Sequence, residues 1–85
     1  MTENLIASSV HRVILGLGVT GLSCARYLYQ RGESFSVVDT RDVPPGLLEL
    51  RREMPDVPVF TATIPVRLLE SAVEIIVSPG VALSE

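Results

Sequence analysis

The 85-residue sequence predicts an α/β fold built on an open parallel β-sheet. Four short runs rich in apolar and β-branched residues are separated by segments of helical periodicity, an alternation typical of parallel sheets with right-handed crossovers. A Gly-x-Gly-x-x-Gly turn at Gly16–Gly21 directly follows the first run. With 47% apolar residues, the sequence can form the core of one small domain.

The first strand is predicted at Arg12–Leu15, because its short apolar run is typical of a strand buried on both faces. After the glycine turn, a helix is predicted over Val19–Arg31, and Gly32 is suited to end it. One face of this helix should be buried, and it carries Gly21, Cys24, Ala25 and Leu28.

The second strand is predicted at Phe35–Asp39, followed by a helix over Gly46–Glu53 that Pro55 ends. The third strand is predicted at Val57–Thr61. Pro58 lies inside this run and has no N–H to donate, so the strand should lie at an edge of the sheet.

A short helix at Pro65–Ser71 and a fourth strand at Val73–Ser78 complete the pattern. An edge position for the third strand is compatible with the order 3-2-1-4, with the switch point between strands 1 and 4. We therefore predict a Rossmann-like open parallel sheet of four βα units.

Composition excludes several classes of function. The net charge is −3 and the seven basic residues, all Arg, are scattered, so neither nucleic acid nor a membrane surface is an expected partner. Cys24 is the one cysteine, which excludes an internal disulfide and a zinc cluster, and no metal site is expected. No signal peptide or membrane span is recognisable, so a cytoplasmic protein is expected. A monomer is also expected. His11 has no evident partner and is interpreted as a surface residue.

The glycine turn is the strongest chemical signal, because it follows a strand and opens a helix. Gly16 would allow the tight turn, Gly18 would let a pyrophosphate approach the backbone, and Gly21 would let the helix lie close to the strand. The helix N-terminus would offer free N–H groups to an anion, and the Thr20 hydroxyl could add a donor. The alternative is a turn that serves packing alone.

Two further sites follow the ends of other strands. Asp39 lies 21 residues after Gly18, where an acidic residue accepts ribose hydroxyls in dinucleotide-binding folds. Arg41 could stack on a base, reach a phosphate or be exposed. Ser78-Pro79-Gly80 should face the glycine turn across the switch-point crevice, or form an ordinary Pro-Gly turn.

Taken together, three segments resemble the N-terminal domain of the Mur ligases that add D-glutamate in bacterial peptidoglycan synthesis. The resemblance runs from about Val13 to Leu83, and the segments are Gly16–Cys24, Asp39–Arg41 with Pro44–Gly46 behind it, and Ile76–Val81. Three motifs in order and at matching spacing are more specific than the glycine turn alone.

The resemblance implies a three-domain, ATP-dependent ligase. Its first domain binds the UDP end of UDP-N-acetylmuramoyl-L-alanine, its central domain binds ATP and Mg²⁺ through a P-loop, and its third helps bind D-glutamate. Carried over to this sequence, the substrate-binding residues would be Gly18, Val19, Thr20 and Gly21 near the diphosphate, Asp39, Thr40 and Arg41 around uracil and ribose, and Ser78 and Gly80 from the fourth strand.

The sequence has no P-loop motif and no lysine. Residues 1–85 are therefore expected to be a shortened N-terminal substrate-binding domain with no catalytic residue and no cofactor of its own. Two alternatives remain at this point. An NAD-binding domain of a dehydrogenase or regulatory module explains the glycines and Asp39 equally well, but not Asp-Thr-Arg together with Ser-Pro-Gly. A purely structural module would leave Gly18 and Asp39 without a purpose.

Overall fold

The structure is a computed structural model that describes residues 11–78. Strands and helices alternate along this part of the chain, as the sequence predicts. The elements are β1 (Arg12–Leu15), α1 (Val19–Gln30), β2 (Phe35–Asp39), α2 (Leu47–Glu53), β3 (Val59–Thr61), α3 (Val66–Ser71) and β4 (Glu74–Val77).

The four strands form one sheet in the order β3-β2-β1-β4, and every pair is parallel. Ile14 of β1 lies opposite Val37 of β2 on one side and Ile76 of β4 on the other. The predicted α/β class, the Rossmann-like arrangement and the strand order are confirmed. All strands run in one direction, so their carboxyl ends meet at one edge of the sheet.

The predicted element boundaries are close to those observed. The largest shift is in the third strand, which begins at Val59 rather than Val57. Pro58 therefore precedes the strand, and its carbonyl accepts the N–H of Val37 at 3.0 Å. A residue without an N–H can still accept from a neighbouring strand, so Pro58 contributes to this sheet edge. The edge position of β3 is confirmed.

The core lies between one face of the sheet and helices α1 and α2. Ile14 of β1 and Val37 of β2 lie directly opposite each other in neighbouring strands, so their side chains point to this same face of the sheet. Met54, directly after α2, is also fully buried. The buried cluster consists of Ile14, Leu17, Leu22, Ala25, Leu28, Phe35, Val37, Leu47, Leu50 and Met54.

Polar contacts join the amino ends of the strands. The Arg12 guanidinium contacts Glu33 at 2.9 Å and Glu74 at 2.8 Å. His11 is partly exposed, and it does have partners that the sequence did not indicate: its ring nitrogens lie 2.8 Å from the hydroxyls of Ser34 and Ser36. The sheet brings these serines, more than 20 positions away in sequence, beside the histidine.

No helix within residues 11–78 is long and apolar enough to cross a membrane.

Candidate nucleotide-binding site

The loops that follow β1, β2 and β4 meet at the carboxyl edge of the sheet. The N–H of Ser78 donates to the Leu15 carbonyl at 2.9 Å, and the N–H of Gly16 donates to the Val38 carbonyl at 2.8 Å. Between these loops lies a cavity of about 250 Å³, here called the edge cavity. It is lined by Leu15, Gly16, Asp39, Thr40, Ile64, Val77 and Ser78.

The glycine turn has the geometry that the motif predicts. Gly16 has φ +108°, a backbone conformation that residues with a Cβ rarely adopt. A Cβ at Gly21 would lie 2.0 Å from the Gly16 carbonyl oxygen, so helix α1 could not keep its place against the turn with any larger residue there. The predicted roles of Gly16 in the tight turn and of Gly21 in close packing are confirmed.

The amino end of α1 is left open for an acceptor. Gly18 is the N-cap residue, no side chain caps the helix, and its first turn contains no acidic residue. The first N–H groups of a helix have no partner inside the helix and carry the positive end of its dipole. Val19 and Thr20 are both exposed at this position. The arrangement suits an anionic group such as a phosphate.

Gly18 and Val19 line a second depression of about 180 Å³ between α1 and the Pro45-Gly46 segment. The Gly46 N–H donates to the Leu17 carbonyl at 3.0 Å. A Cβ at Gly46 would lie 3.3 Å from both the carbonyl oxygen and the side chain of Leu17, so glycine allows this close approach. The Pro-Pro-Gly segment is thereby held against the glycine turn.

Asp39 is almost completely buried, with 2% of its surface exposed, and both of its carboxylate oxygens accept hydrogen bonds. Oδ2 accepts from the Leu17 N–H at 2.7 Å and from Arg41 Nη2 at 2.8 Å. Oδ1 accepts from the Arg41 N–H at 2.8 Å and from Arg41 Nε at 3.0 Å. The carboxylate therefore joins the glycine turn to the loop that follows β2.

The environment of Asp39 changes its acidity. Burial raises the pKa of the carboxyl group, because it penalises the charged form. The hydrogen bonds from the Arg41 side chain and from the Leu17 and Arg41 N–H groups outweigh burial, and the pKa lies below its ordinary value. Asp39 is thus a carboxylate at neutral pH, and Arg41, whose pKa Asp39 raises, is its counter-ion.

Ala62, whose backbone has a left-handed conformation, donates to the loop that follows β2. The Ala62 N–H donates to the carbonyl of Asp39 at 2.9 Å and to that of Arg41 at 3.1 Å. Ala62 has φ +60°, which is unfavourable for a residue with a Cβ. The structure keeps this conformation where the N–H reaches both carbonyls, so the backbone of Asp39–Arg41 is set by contacts on two sides.

Ser78 brings to the edge cavity a hydroxyl that has no partner in the described part of the chain. Its side chain is buried, with 4% of the residue exposed, and Oγ has no hydrogen-bond partner among residues 11–78. A buried hydroxyl without a partner is unfavourable, so a ligand atom could satisfy it. Pro79 and Gly80, which the sequence also places here, lie outside the described residues.

Five of the predicted site residues fall into two groups. Asp39, Thr40 and Ser78 line the edge cavity, while Gly18 and Val19 lie on the α1–α2 side of the turn. Arg41 and Thr20 line neither space, and Gly21 is a buried residue within α1.

Sequence reasoning missed two contributors. Leu17 supplies the N–H that Asp39 accepts, and Ile64 lines the edge cavity after β3. The rule that loops at the carboxyl edge line the ligand crevice could have indicated Ile64.

A larger cavity of about 510 Å³ lies between α1 and β4 and includes Arg12, Glu33 and Glu74 at the amino ends of the strands, but none of the loops that follow β1, β2 and β4. Ligands of open α/β sheets bind at the carboxyl ends, so this cavity is not the candidate site. Within residues 11–78, no cluster of three or more His, Cys, Asp or Glu side chains could hold a metal ion.

The fold and the turn define a class: a Rossmann-like α/β domain with a glycine-rich turn at the switch point of its sheet. A family model described as "Mur ligase MurD-like, N-terminal domain" matches residues 10–85. The chain therefore belongs to the family of MurD-like Mur ligase N-terminal domains.

Curated relatives agree with this family. The chain is 49% identical over 81 residues to a UDP-N-acetylmuramoylalanine–D-glutamate ligase of Hahella chejuensis, covering 95% of the chain and 18% of the relative. It is 46% identical over 84 residues to the Pseudomonas putida ligase of the same name, covering 99% of the chain and 19% of the relative. The chain thus spans less than a fifth of the length of these relatives.

Proposed function

We propose that this chain forms the UDP-binding part of an ATP-dependent ligase that adds D-glutamate to UDP-N-acetylmuramoyl-L-alanine in peptidoglycan synthesis. The observation that carries the proposal is the convergence of three loops at the carboxyl edge, in a chain of this family. The loops contain the glycine turn, the Asp39–Arg41 segment and Ser78. Because they come from three strands, they can contact one extended ligand at several points.

The diphosphate is assigned to the amino end of α1. There the N–H groups of Val19 and Thr20 are free of side-chain caps, and the Thr20 hydroxyl is exposed. The negative charge of the diphosphate would be stabilised by these donors and by the helix dipole. Gly18 would allow the phosphate oxygens to come close to the backbone.

The uridine is assigned to the loop after β2 and to the edge cavity. Among residues 11–78, Arg41 donates to Asp39 through Nε and Nη2, which leaves its other N–H groups for carbonyl oxygens of a uracil ring. The exposed Thr40 lines the cavity beside Asp39. The buried Ser78 hydroxyl would gain a partner from the ligand, and Gly80 would close the pocket next to it.

The rest of the reaction is assigned to other parts of a longer protein. ATP and Mg²⁺ would activate the substrate carboxylate as an acyl phosphate, and the amine of D-glutamate would then attack it to form the amide. No residue of this chain is assigned to that chemistry, since the sequence lacks a P-loop and a lysine. We place the activity in the cytoplasm, where ATP and UDP-linked sugars are made, and expect a monomer.

The experiment is an amide-shift titration of the 85-residue chain with UDP-N-acetylmuramoyl-L-alanine, UDP, NAD and ATP. The muramoyl ligand, and more weakly UDP, should shift the amides of Gly18–Gly21, Asp39–Arg41 and Ser78–Gly80. A lower dissociation constant for NAD than for UDP would contradict the proposal.

Gly18→Val provides a matched test of the phosphate site. Gly18 has φ −99°, which residues with a side chain adopt, so the variant should fold and still lose binding. Gly32→Asn is the control, because Gly32 is exposed, has φ +72° and has open space where a Cβ would lie. It should bind like the wild type. Equal binding by Gly18→Val and Gly32→Asn would count against a phosphate at this turn.

A further inference from the structure

The Asp39–Arg41 ion pair occupies the position that dinucleotide-binding folds use to recognise a ribose. In those folds the acidic residue at the end of the second strand accepts hydrogen bonds from ribose hydroxyls. Such recognition requires acceptor positions that are free in the empty protein. The hydrogen bonds of Asp39 show whether such positions exist here.

A carboxylate has about four positions at which it can accept hydrogen bonds. In Asp39 they are matched by four donors: the N–H groups of Leu17 and Arg41, and Nε and Nη2 of the Arg41 side chain. A ribose diol could bind Asp39 only by displacing some of these donors. The two side-chain donors belong to a charged group, and such bonds are stronger than those of a neutral hydroxyl.

Arg41 also changes the chemistry that the site presents to a ligand. Asp39 is 2% exposed, whereas the Arg41 side chain is 37% exposed. A ligand therefore meets guanidinium donors at this point instead of carboxylate acceptors. Carbonyl and phosphate oxygens suit such a surface, and hydroxyl groups that must donate do not.

We propose that Arg41 is a specificity-determining residue, which excludes nicotinamide–adenine dinucleotides by occupying the carboxylate that would bind their ribose. This inference rests on the proposed function. UDP carries the same ribose diol and loses the same contact, but its uracil ring has carbonyl oxygens that can accept from the Arg41 guanidinium, and adenine has none. Without Arg41, Asp39 keeps the Leu17 N–H and the backbone N–H of residue 41, and two acceptor positions become free for a diol.

The test compares NAD and UDP binding by the wild-type chain and by Arg41→Ala, followed through the amide shifts of the glycine turn. Two regained hydrogen bonds, at about 0.5–1.5 kcal/mol each, correspond to a gain in NAD affinity of roughly fivefold or more. UDP affinity should fall in the same variant. Arg41→Met, which keeps the length of the side chain without its donors, should behave in the same way.

Two further variants test whether the freed Asp39 carboxylate, and not the loss of a positive charge, raises the affinity for NAD. Asp39→Asn combined with Arg41→Ala should lose the gain in NAD affinity, because the freed carboxylate is gone. Arg31→Ala removes an equal charge from an exposed position over the Tyr27 ring and should leave the NAD-to-UDP ratio unchanged. A dispersed amide spectrum of each variant shows that it is folded.

The inference is overturned if neither Arg41→Ala nor Arg41→Met binds NAD more tightly than Arg31→Ala does. It is also overturned if the double variant keeps the gain. Failure of the wild-type chain to bind UDP would refute the proposed function instead. The NAD titrations of the wild type and the variants would still decide the role of Arg41.

Discussion

The carboxylate of Asp39 accepts the N–H of Leu17 at 2.7 Å and so connects the end of β2 to the middle of the glycine turn. Leu17 is itself fully buried, with its side chain in the core between the sheet and the helices. The turn is therefore held by a charged hydrogen bond on its backbone and by apolar contacts on its side chain. Such a turn is positioned before any ligand arrives, which reduces the entropic cost of binding.

Stability should depend on the ionisation of Asp39. Its pKa is lowered in the folded state, so the folded protein releases this proton more readily than the unfolded chain. The resulting stabilisation is complete above the unfolded pKa of about 3.9 and is lost as the pH falls through the lower folded value. Denaturant unfolding measured from neutral to acidic pH should show this loss, and Asp39→Asn should show less of it.

Glu53 provides the control for that measurement. A hydrogen bond from Arg26 lowers the pKa of Glu53 as well, but this pair between α1 and α2 is exposed. Exposed ion pairs contribute little to stability, so Glu53→Gln should keep most of the acid dependence. If Glu53→Gln removes more of it than Asp39→Asn does, the buried carboxylate is not the main contributor.

Gly21→Ala should destabilise the protein strongly. The new Cβ would lie 2.0 Å from the carbonyl oxygen of Gly16, and that oxygen belongs to backbone that cannot easily move. We expect a loss of about 1–3 kcal/mol in the free energy of unfolding, the range for overpacked sites. Gly32→Ala, with φ +72° and no atom near the new Cβ, should lose less, about 1 kcal/mol from backbone strain. Equal losses of stability in Gly21→Ala and Gly32→Ala would contradict the predicted steric clash at Gly21.

Ala62→Gly should stabilise the protein or leave its stability unchanged. Ala62 has φ +60°, and glycine adopts this conformation without the Cβ penalty of about 1–2 kcal/mol. Greater freedom of glycine in the unfolded chain offsets about 0.4–1 kcal/mol of that gain. Chemical denaturation measures the net effect. A clear loss of stability, compared with Ala72→Gly at a residue with φ −71°, would be the opposite result.

Ser78→Ala should affect ligand binding more than folding. Within residues 11–78 the buried Oγ has no hydrogen-bond partner, so its removal should leave the free energy of unfolding unchanged or raise it. If a UDP ligand supplies the partner, the variant should bind it more weakly by about 0.5–1.5 kcal/mol. Calorimetric titration with UDP-N-acetylmuramoyl-L-alanine measures this loss. Ser71→Ala serves as a control, because it also removes a serine hydroxyl but one that lies outside the edge cavity. That hydroxyl is on exposed α3 and donates to the Leu68 carbonyl at 2.9 Å.

The sequence by itself determined the class of the fold, the edge position of the third strand and the glycine turn, and it was compatible with the strand order that the structure shows. Each depends on local signals: the β-branched run at Arg12–Leu15, glycines at fixed spacing, and a proline that cannot donate at Pro58. The roles of Gly16 and Gly21 also follow from these signals. Glycine has no Cβ, and it can therefore adopt a positive φ and allow close packing wherever it occurs in a fold.

Only the tertiary structure decided which partners the polar side chains have. Position at the end of a strand predicts that Asp39 lies in the site, but its four donors come partly from Leu17, 22 positions earlier in the sequence. His11 likewise meets Ser34 and Ser36 only because strands β1 and β2 pair. A hydrogen bond is short-ranged and directional, so it depends on where the folded backbone places two distant residues, and no local pattern in the sequence encodes that.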